Sequence, residues 1–126
     1  MALVLETTLR NALADDIDAN INFGVSDANG DLKFETSGDV EVATIEFQDP
    51  AFGPAATGVI TAAGLPLSDT SATGGTVAQY SIFNRNNLKI LEGVVSVSGD
   101  DLDLSSLSVG VGDTVELTAF TITVPA

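Results

Sequence analysis

Apolar and polar residues alternate along two segments that flank a polar centre in residues 76–97, TVAQYSIFNRNNLKILEGVVSV. Alternation with a period of two is typical of a β-strand with one buried face, and the polar centre at 84–87 does not continue either strand. The pattern therefore predicts a β-hairpin. Asparagine tolerates positive φ better than other non-glycine residues, so Asn86 and Asn87 are predicted at the centre of a type I′ turn. We expect the two arms to form the centre of a sheet.

A pattern with helical spacing covers residues 7–21 and predicts the one helix of the chain. Its apolar stripe consists of Leu9, Leu13, Ile17 and Ile21, with Ala12 beside them. Its opposite face, expected in solvent, carries Arg10, Asn11, Asp15 and Asp18. Thr7 or Thr8 is predicted as the N-cap, and Gly24 stands where a left-handed residue is expected after the helix. The stripe could serve a partner protein, but we expect it to cover the chain's own sheet.

The remaining apolar runs predict short strands at 32–36, 40–47 and 58–62, a half-buried segment at 102–107, and a terminal strand at 114–124. Within 40–47 the apolar residues change from one parity to the other, and the same change recurs in 114–124. One extra residue in a strand restores the buried face, so both changes predict a β-bulge. Two bulged strands favour a curved sheet over a flat one.

Small and polar residues at 64–75 predict a surface loop, which is the best candidate for a mobile or intersubunit arm. Six to seven short strands and a single helix favour a mainly β fold, because one helix supplies few crossover connections. The expected architecture is an antiparallel β-sandwich or open β-barrel with one N-terminal amphipathic helix. The length predicts a single domain, 1–126, with the helix at 7–21 and a β-module at 32–124.

The amino-acid composition excludes several kinds of catalytic site and binding partner. The chain has no cysteine and no histidine, which removes disulfides, thiol nucleophiles and imidazole acid-base catalysis. Its formal charge is -14, from 18 acidic and 4 basic residues, so nucleic acid and anionic membrane surfaces are not expected as partners. The first residues, MALVLETTLR, lack a basic leader and a long apolar core, and no stretch has the length of a membrane span. We expect a protein made in a cytoplasm.

Several carboxylate groupings could carry metal or acid-base chemistry. Asp27, Asn29 and Asp31 alternate like the opening of a calcium loop, but Leu32 and Gly38 stand where such a loop requires glycine and a bidentate glutamate. The other groupings are Asp15, Asp16 and Asp18; Asp100, Asp101 and Asp103; and Glu35 with Glu46. All three are expected on solvated surfaces. We therefore predict no enzymatic activity, no cofactor and no metal.

Three stretches carry a resemblance to a known family: LRNALADDIDANINFG, ATIEFQDPAFGPAATGVITAAG, and the final GVVSVSGDDLDLSSLSVGVGDTVELTAFTITVPA. Together they resemble a family of small structural proteins of tailed bacteriophages that infect bacteria and cyanobacteria. The most specific parts are the helix start at 9–11, the loop at 49–53 and the terminal strand at 117–126. None of these parts is a catalytic signature.

The resemblance implies a virion component, most specifically a capsid decoration or cement protein on the outer shell. It implies the major capsid protein and further copies of the chain, commonly in a trimer, as partners. The expected interface residues are Arg10, Asn11, Asp18, Phe52, Gly53, Pro54 and Ala55. Two alternatives stay open: a tail or neck protein of the same virion, and a carbohydrate- or cation-binding module that uses the carboxylates at 27–31 or 100–103.

Overall fold

A computed structural model describes residues 3–98 and 102–125. Helix α1 covers Thr7–Ile21, as predicted, but Glu6 occupies the N-cap position and makes no side-chain capping bond. The prediction of Thr7 or Thr8 as the N-cap was therefore wrong. The described strands are β1 Asp31–Glu35, β2 Glu41–Glu46, β3 Val59–Thr61, β4 Leu67–Asp69, β5 Gly75–Thr76, β6 Gln79–Phe83, β7 Lys89–Ser96, β8 Leu102–Asp103, β9 Ser108–Val109, β10 Val115–Leu117 and β11 Thr121–Thr123.

The strands form a five-stranded sheet and three two-stranded sheets. The large sheet has the order β2-β1-β6-β7-β8, and its pairs are antiparallel except β7 with β8. The small sheets pair β10 with β4, β11 with β3, and β5 with β9. The fold is mainly β with one N-terminal helix and is consistent with a β-sandwich-like arrangement, as expected. The described strands outnumber the predicted six to seven because several are only two or three residues long.

Aromatic rings connect the layers of the core. The ring centre of Phe47, which follows β2, lies 5.5 Å from the ring centre of Phe52. The Phe52 ring centre lies 5.8 Å from that of Phe120, a residue between β10 and β11. Phe120 meets the ring of Tyr80 edge-on at 5.4 Å, and Tyr80 belongs to the central strand β6. Leu32, on the neighbouring strand β1, is fully buried. The chain of rings therefore joins the terminal segment to the middle of the large sheet.

The predicted hairpin is confirmed, with β6 and β7 as its arms, but its turn is of another type. Only Asn87 has positive φ, at 60°, whereas a type I′ turn requires it at both central residues. The Asn87 N–H donates to the Asn84 carbonyl at 3.0 Å, and the Asn84 N–H donates to the Leu88 carbonyl at 2.9 Å. The Asn84 side-chain oxygen also accepts the N–H groups of Asn86 and Leu88. These bonds define a three-residue hairpin loop that ends in a left-handed residue.

The bulge predicted in 40–47 is confirmed. Phe34 pairs with Ala43 and Glu35 with Glu41, so Val42 is the extra residue, and both Val42 and Ala43 are buried. The terminal segment also changes its buried parity as predicted, but it is two strands rather than one bulged strand. β11 pairs with β3, and β10 pairs with β4. Residues 62–66, which connect β3 to β4, are more numerous than residues 118–120, which connect β10 to β11. The pairing therefore cannot continue in register from one pair of strands to the other.

Residues 64–75 lie mostly at the surface, as predicted for a loop, but they are not all loop. They include β4, and both β4 and the residues after it contact the outer edge of β2. The Thr44 N–H donates to a carboxylate oxygen of Asp69 in β4 at 2.9 Å, and the Thr73 N–H donates to the Val42 carbonyl at 2.8 Å. An edge strand with unpaired backbone groups is open to pairing with other chains. Residues 64–75 cover this edge of β2 and occupy part of its backbone groups.

Candidate interaction surfaces

The polar face of α1 is turned toward the β-module, not toward solvent as predicted. Of the apolar stripe, Ile21 is buried and Ile17 half-buried, but Leu9 and Leu13 remain 48% and 41% exposed. The helix is therefore rotated about its axis relative to the expected packing. Leu9 and Leu13 lie toward solvent, and the side that carries Asn11, Asp15 and Asp18 lies against the chain.

Four side-chain oxygens on this helix face accept backbone N–H groups from residues 51–58. The pairs are Asn11 with Gly58 at 2.7 Å, Asp15 with Ala55 at 2.8 Å, Asp18 with Phe52 at 2.9 Å, and Asn22 with Ala51 at 2.9 Å. The four residues are spaced by four, three and four positions, which places them in one row along the helix. We call this row and its partners the helix–loop ladder.

The loop needs these acceptors because it is not a regular strand. Pro50 and Pro54 have no N–H group to donate and force extended backbone before them. The Gly53 and Ala56 N–H groups donate to backbone carbonyls, but those of Ala51, Phe52 and Gly58 are partly buried and need other acceptors. A buried N–H group without a partner costs roughly 1–3 kcal/mol. The short side chains of asparagine and aspartate supply the missing oxygens.

Arg10 extends the same contact to the end of the chain. Its Nε donates to the Val124 carbonyl at 3.0 Å, and its Nη2 donates to the Thr57 carbonyl at 2.9 Å. A Cβ on Gly58 would lie 2.9 Å from the Arg10 Nε, and Gly58 has a φ of 74°. The backbone conformation favours glycine here, and a larger residue would also have to displace the Arg10 guanidinium.

All seven predicted interface residues lie on α1 or on the loop that packs beside it. Arg10, Asn11 and Asp18 lie on the helix side and are half-buried, and Phe52, Gly53, Pro54 and Ala55 lie on the loop side. The Phe52 side chain is in the core and only 1% exposed, whereas Pro54 is exposed. Their polar groups serve an internal contact, and binding of a partner by these residues stays a prediction. Asp15 and Asn22 belong to the same contact but were not among the predicted interface residues, although the 4-3-4 spacing of asparagine and aspartate was a usable signal.

A second surface lies at the turn end of the β6–β7 hairpin. The Arg85 N–H donates to the Phe23 carbonyl at 3.0 Å, and the Asp27 N–H donates to the Arg85 carbonyl at 2.8 Å. The Asn86 side-chain oxygen accepts the Val25 N–H at 3.0 Å. Segment 23–27 is thereby held beside the turn. We call the exposed apolar side chains of Phe23, Val25 and Leu88 at this place the hairpin-end surface.

Carboxylates lie next to the hairpin-end surface. Asp27, Asp31 and Glu46 line a cleft of about 160 Å³ together with Asn29, whose side-chain nitrogen donates to Glu46 at 2.5 Å. Desolvation, followed by repulsion from Glu46 and Asp27, raises the pKa of Asp31 from 3.8 to about 6. Within the described residues no three acidic side chains are arranged to hold a metal ion. The calcium-loop pattern thus has no assembled coordination shell in the part of the chain that is described.

Of the other carboxylate groupings, the pair of Glu35 and Glu46 differs from expectation. Glu35 was expected on a solvated strand exterior, but it is 6% exposed and accepts the Ser81 hydroxyl at 2.6 Å. Its burial follows from its place on β1, between β2 and β6, where Gln79 also donates to it at 3.4 Å. Glu35 and Glu46 stand at opposite ends of the β1–β2 pair and form no site. Asp100 and Asp101 lie outside the described residues, as does the side chain of Asp103.

Comparisons with protein-family models, with curated proteins and with solved structures found no match for this chain. Among the described residues, no helix has the length and apolar character required to cross a bilayer. Functional assignment therefore depends on the surfaces described above and on the resemblance carried by the sequence.

Proposed function

We propose that this chain is a structural protein of a tailed-bacteriophage virion, and within the virion a decoration protein that binds the outer capsid shell. The observation that carries the proposal is that every basic side chain already contacts another group of the same chain. A protein with so few cations, all of them occupied, presents acidic and apolar groups to its surroundings. Such a surface suits a protein partner and a position away from packaged DNA.

Each of the four basic residues has a partner within the chain. Arg10 donates to two backbone carbonyls, and the Lys33 ammonium lies 4.8 Å from the centre of the Phe83 ring. Arg85 donates to the Asp27 carbonyl at 2.9 Å and lies 3.8 Å from the Asp49 carboxylate. Lys89 pairs with Glu92 at 3.2 Å. Binding of phosphate groups would have to displace these contacts and overcome the net charge of -14.

The proposed mechanism is stabilisation by preferential binding. A protein that binds across a junction between capsomers, and binds separated capsomers less well, favours the assembled shell by mass action. A trimer on a three-fold position would present three copies of the same surface to the shell and gain from multivalency. The acidic exterior would then remain in solvent.

Cosedimentation with empty, expanded capsids of the parent phage tests the proposal. Purified protein is titrated against a fixed amount of capsid, bound copies are counted per particle, and the mass of the free protein is measured by light scattering. Saturation at on the order of hundreds of copies, set by the capsid symmetry, supports a decoration protein. Binding of a ring-sized number would favour a tail or neck protein instead. Absence of binding to capsids would overturn the decoration role.

A further inference from the structure

The hairpin-end surface exposes three large apolar side chains on two adjacent segments. Phe23, Val25 and Leu88 are 64%, 90% and 61% exposed. Single exposed apolar residues are ordinary, but a group of them in one place marks an interaction site. These three are grouped because segment 23–27 is hydrogen-bonded to the hairpin loop that precedes Leu88.

The backbone that carries these side chains is fixed before any partner binds. Asn84 holds Asn86 and Leu88 through two hydrogen bonds, and Asn86 accepts the N–H of Val25. Gly24 fits so closely against the turn that a Cβ there would lie 2.7 Å from the Asn86 nitrogen. Binding would therefore order few additional groups, which favours affinity.

The charge around the surface selects the partner. Asp27, Asp31, Glu46 and the half-exposed Asp49 lie on the segments beside it. The two cations next to it already have partners in the chain: Arg85 contacts the Asp27 carbonyl and the Asp49 carboxylate, and Lys89 pairs with Glu92. A second copy of this chain would place carboxylates against carboxylates. A basic protein surface would instead neutralise them, and charge pairs across the rim would guide the encounter.

We infer that the hairpin-end surface docks into an apolar depression bordered by lysine and arginine side chains on the outer face of the capsid protein. The three apolar side chains fill the depression, and the carboxylates beside them pair with its basic border. The inference rests on the proposed function for the identity of the partner. It adds the face of this chain that is used and the chemistry of the surface that receives it.

Two triple variants with matched chemistry test the inference. F23S/V25S/L88S removes the hairpin-end surface, and V40S/V97S/V111S removes three apolar side chains that are 61%, 62% and 87% exposed elsewhere. Both sets lie at the surface, and thermal unfolding by circular dichroism checks that each variant remains folded. Capsid binding of both is measured beside the wild type, at low salt and again at about 0.5 M salt, where charge pairs are screened.

We expect the hairpin-end variant to bind capsids at least roughly tenfold more weakly, because it loses the apolar surface that binding would remove from water, and a few central residues carry most of the energy of an interface. The control variant should bind like the wild type, and high salt should weaken wild-type binding. If the wild type binds and the hairpin-end variant binds equally well, the inference is overturned while the decoration role stands. Binding that is insensitive to salt would contradict the inference that lysine and arginine side chains border the depression. If the wild type does not bind capsids at all, both proposals fail.

Discussion

The Asp18 carboxylate accepts the backbone N–H of Phe52 at 2.9 Å, across 34 positions of sequence. Desolvation raises the pKa of Asp18, and the hydrogen bonds from Phe52 and Asn22 oppose that shift. The contact joins the two halves of the fold, because Asp18 lies in the helix–loop ladder and the Phe52 ring packs on Phe47 and Phe120. A polar contact thus positions the helix, and an apolar one anchors the loop.

Substitution of Asp18 by alanine should destabilise the protein. The variant leaves the Phe52 N–H in a partly buried place without its acceptor, so we expect the free energy of unfolding to fall by roughly 1–3 kcal/mol. Urea denaturation followed by circular dichroism measures the change. Asp18→Asn, which keeps a side-chain oxygen, should lose much less.

Asp16→Ala is the matched control for that experiment. Asp16 is exposed on the same helix, so its replacement changes the helix propensity and the net charge by the same amounts as Asp18→Ala. Equal losses of stability in the two alanine variants would contradict the role given to the helix–loop ladder.

Replacement of Arg10 by lysine should loosen the end of the chain. Arginine reaches the Val124 and Thr57 carbonyls with two nitrogens in a fixed fork, and a lysine ammonium cannot reproduce both bonds. We expect a loss of roughly 1–2 kcal/mol and faster hydrogen exchange at the Val124 N–H, which donates to the Gly58 carbonyl at 2.8 Å. Lys89→Arg, at an exposed pair, should change stability by less than about 0.5 kcal/mol. Unchanged hydrogen exchange at Val124 in Arg10→Lys would contradict this role of Arg10 in holding the end of the chain.

Hydrophobic periodicity predicted the position along the chain of several elements. The bounds of α1, the β6–β7 hairpin and the bulge at Val42 belong to this group, because a period of 3.6 or 2 reports which residues share a face. The same patterns correctly indicated a mainly β fold.

The orientation of the helix could not be predicted in this way. Leu9 and Leu13 compete with the polar side chains of the helix for the side that faces the chain. The outcome depends on backbone N–H groups 34 or more positions away that need acceptors. Glu35 is a similar case, since Ser81 and Gln79 reach it only when β6 pairs with β1. The split of the terminal strand also depends on its partner, because residues 62–66 are too long to match 118–120.

Substitution of Gly93 by alanine should disturb the centre of the sheet. A Cβ at Gly93 would lie 2.6 Å from the Tyr80 ring and hydroxyl, and Tyr80 is held between Gly93 and Phe120. Moving the ring would break its edge-on contact with Phe120, so we expect a loss of about 1–3 kcal/mol in thermal or urea unfolding. Gly38→Ala is the control, because a Cβ there meets its nearest neighbour only at 3.8 Å. A Gly93→Ala protein as stable as Gly38→Ala would show that the ring can shift without cost.

Asp31 should make the protein less stable as pH rises from about 4 to about 6. Desolvation and the neighbouring carboxylates of Glu46 and Asp27 raise its pKa to about 6 in the folded state, above the ordinary value of 3.8. Between these two values the folded state binds more protons than the unfolded state, so the free energy of unfolding falls with rising pH and levels off above about 6. Asp31→Asn removes this dependence. The stability of Asp31→Asn minus that of the wild type, measured by urea denaturation at several pH values, should therefore increase across the window and then stay constant. Asp16→Asn, at an exposed position, should show no comparable rise, and a flat difference for Asp31→Asn would mean that the cleft does not hold Asp31 away from water.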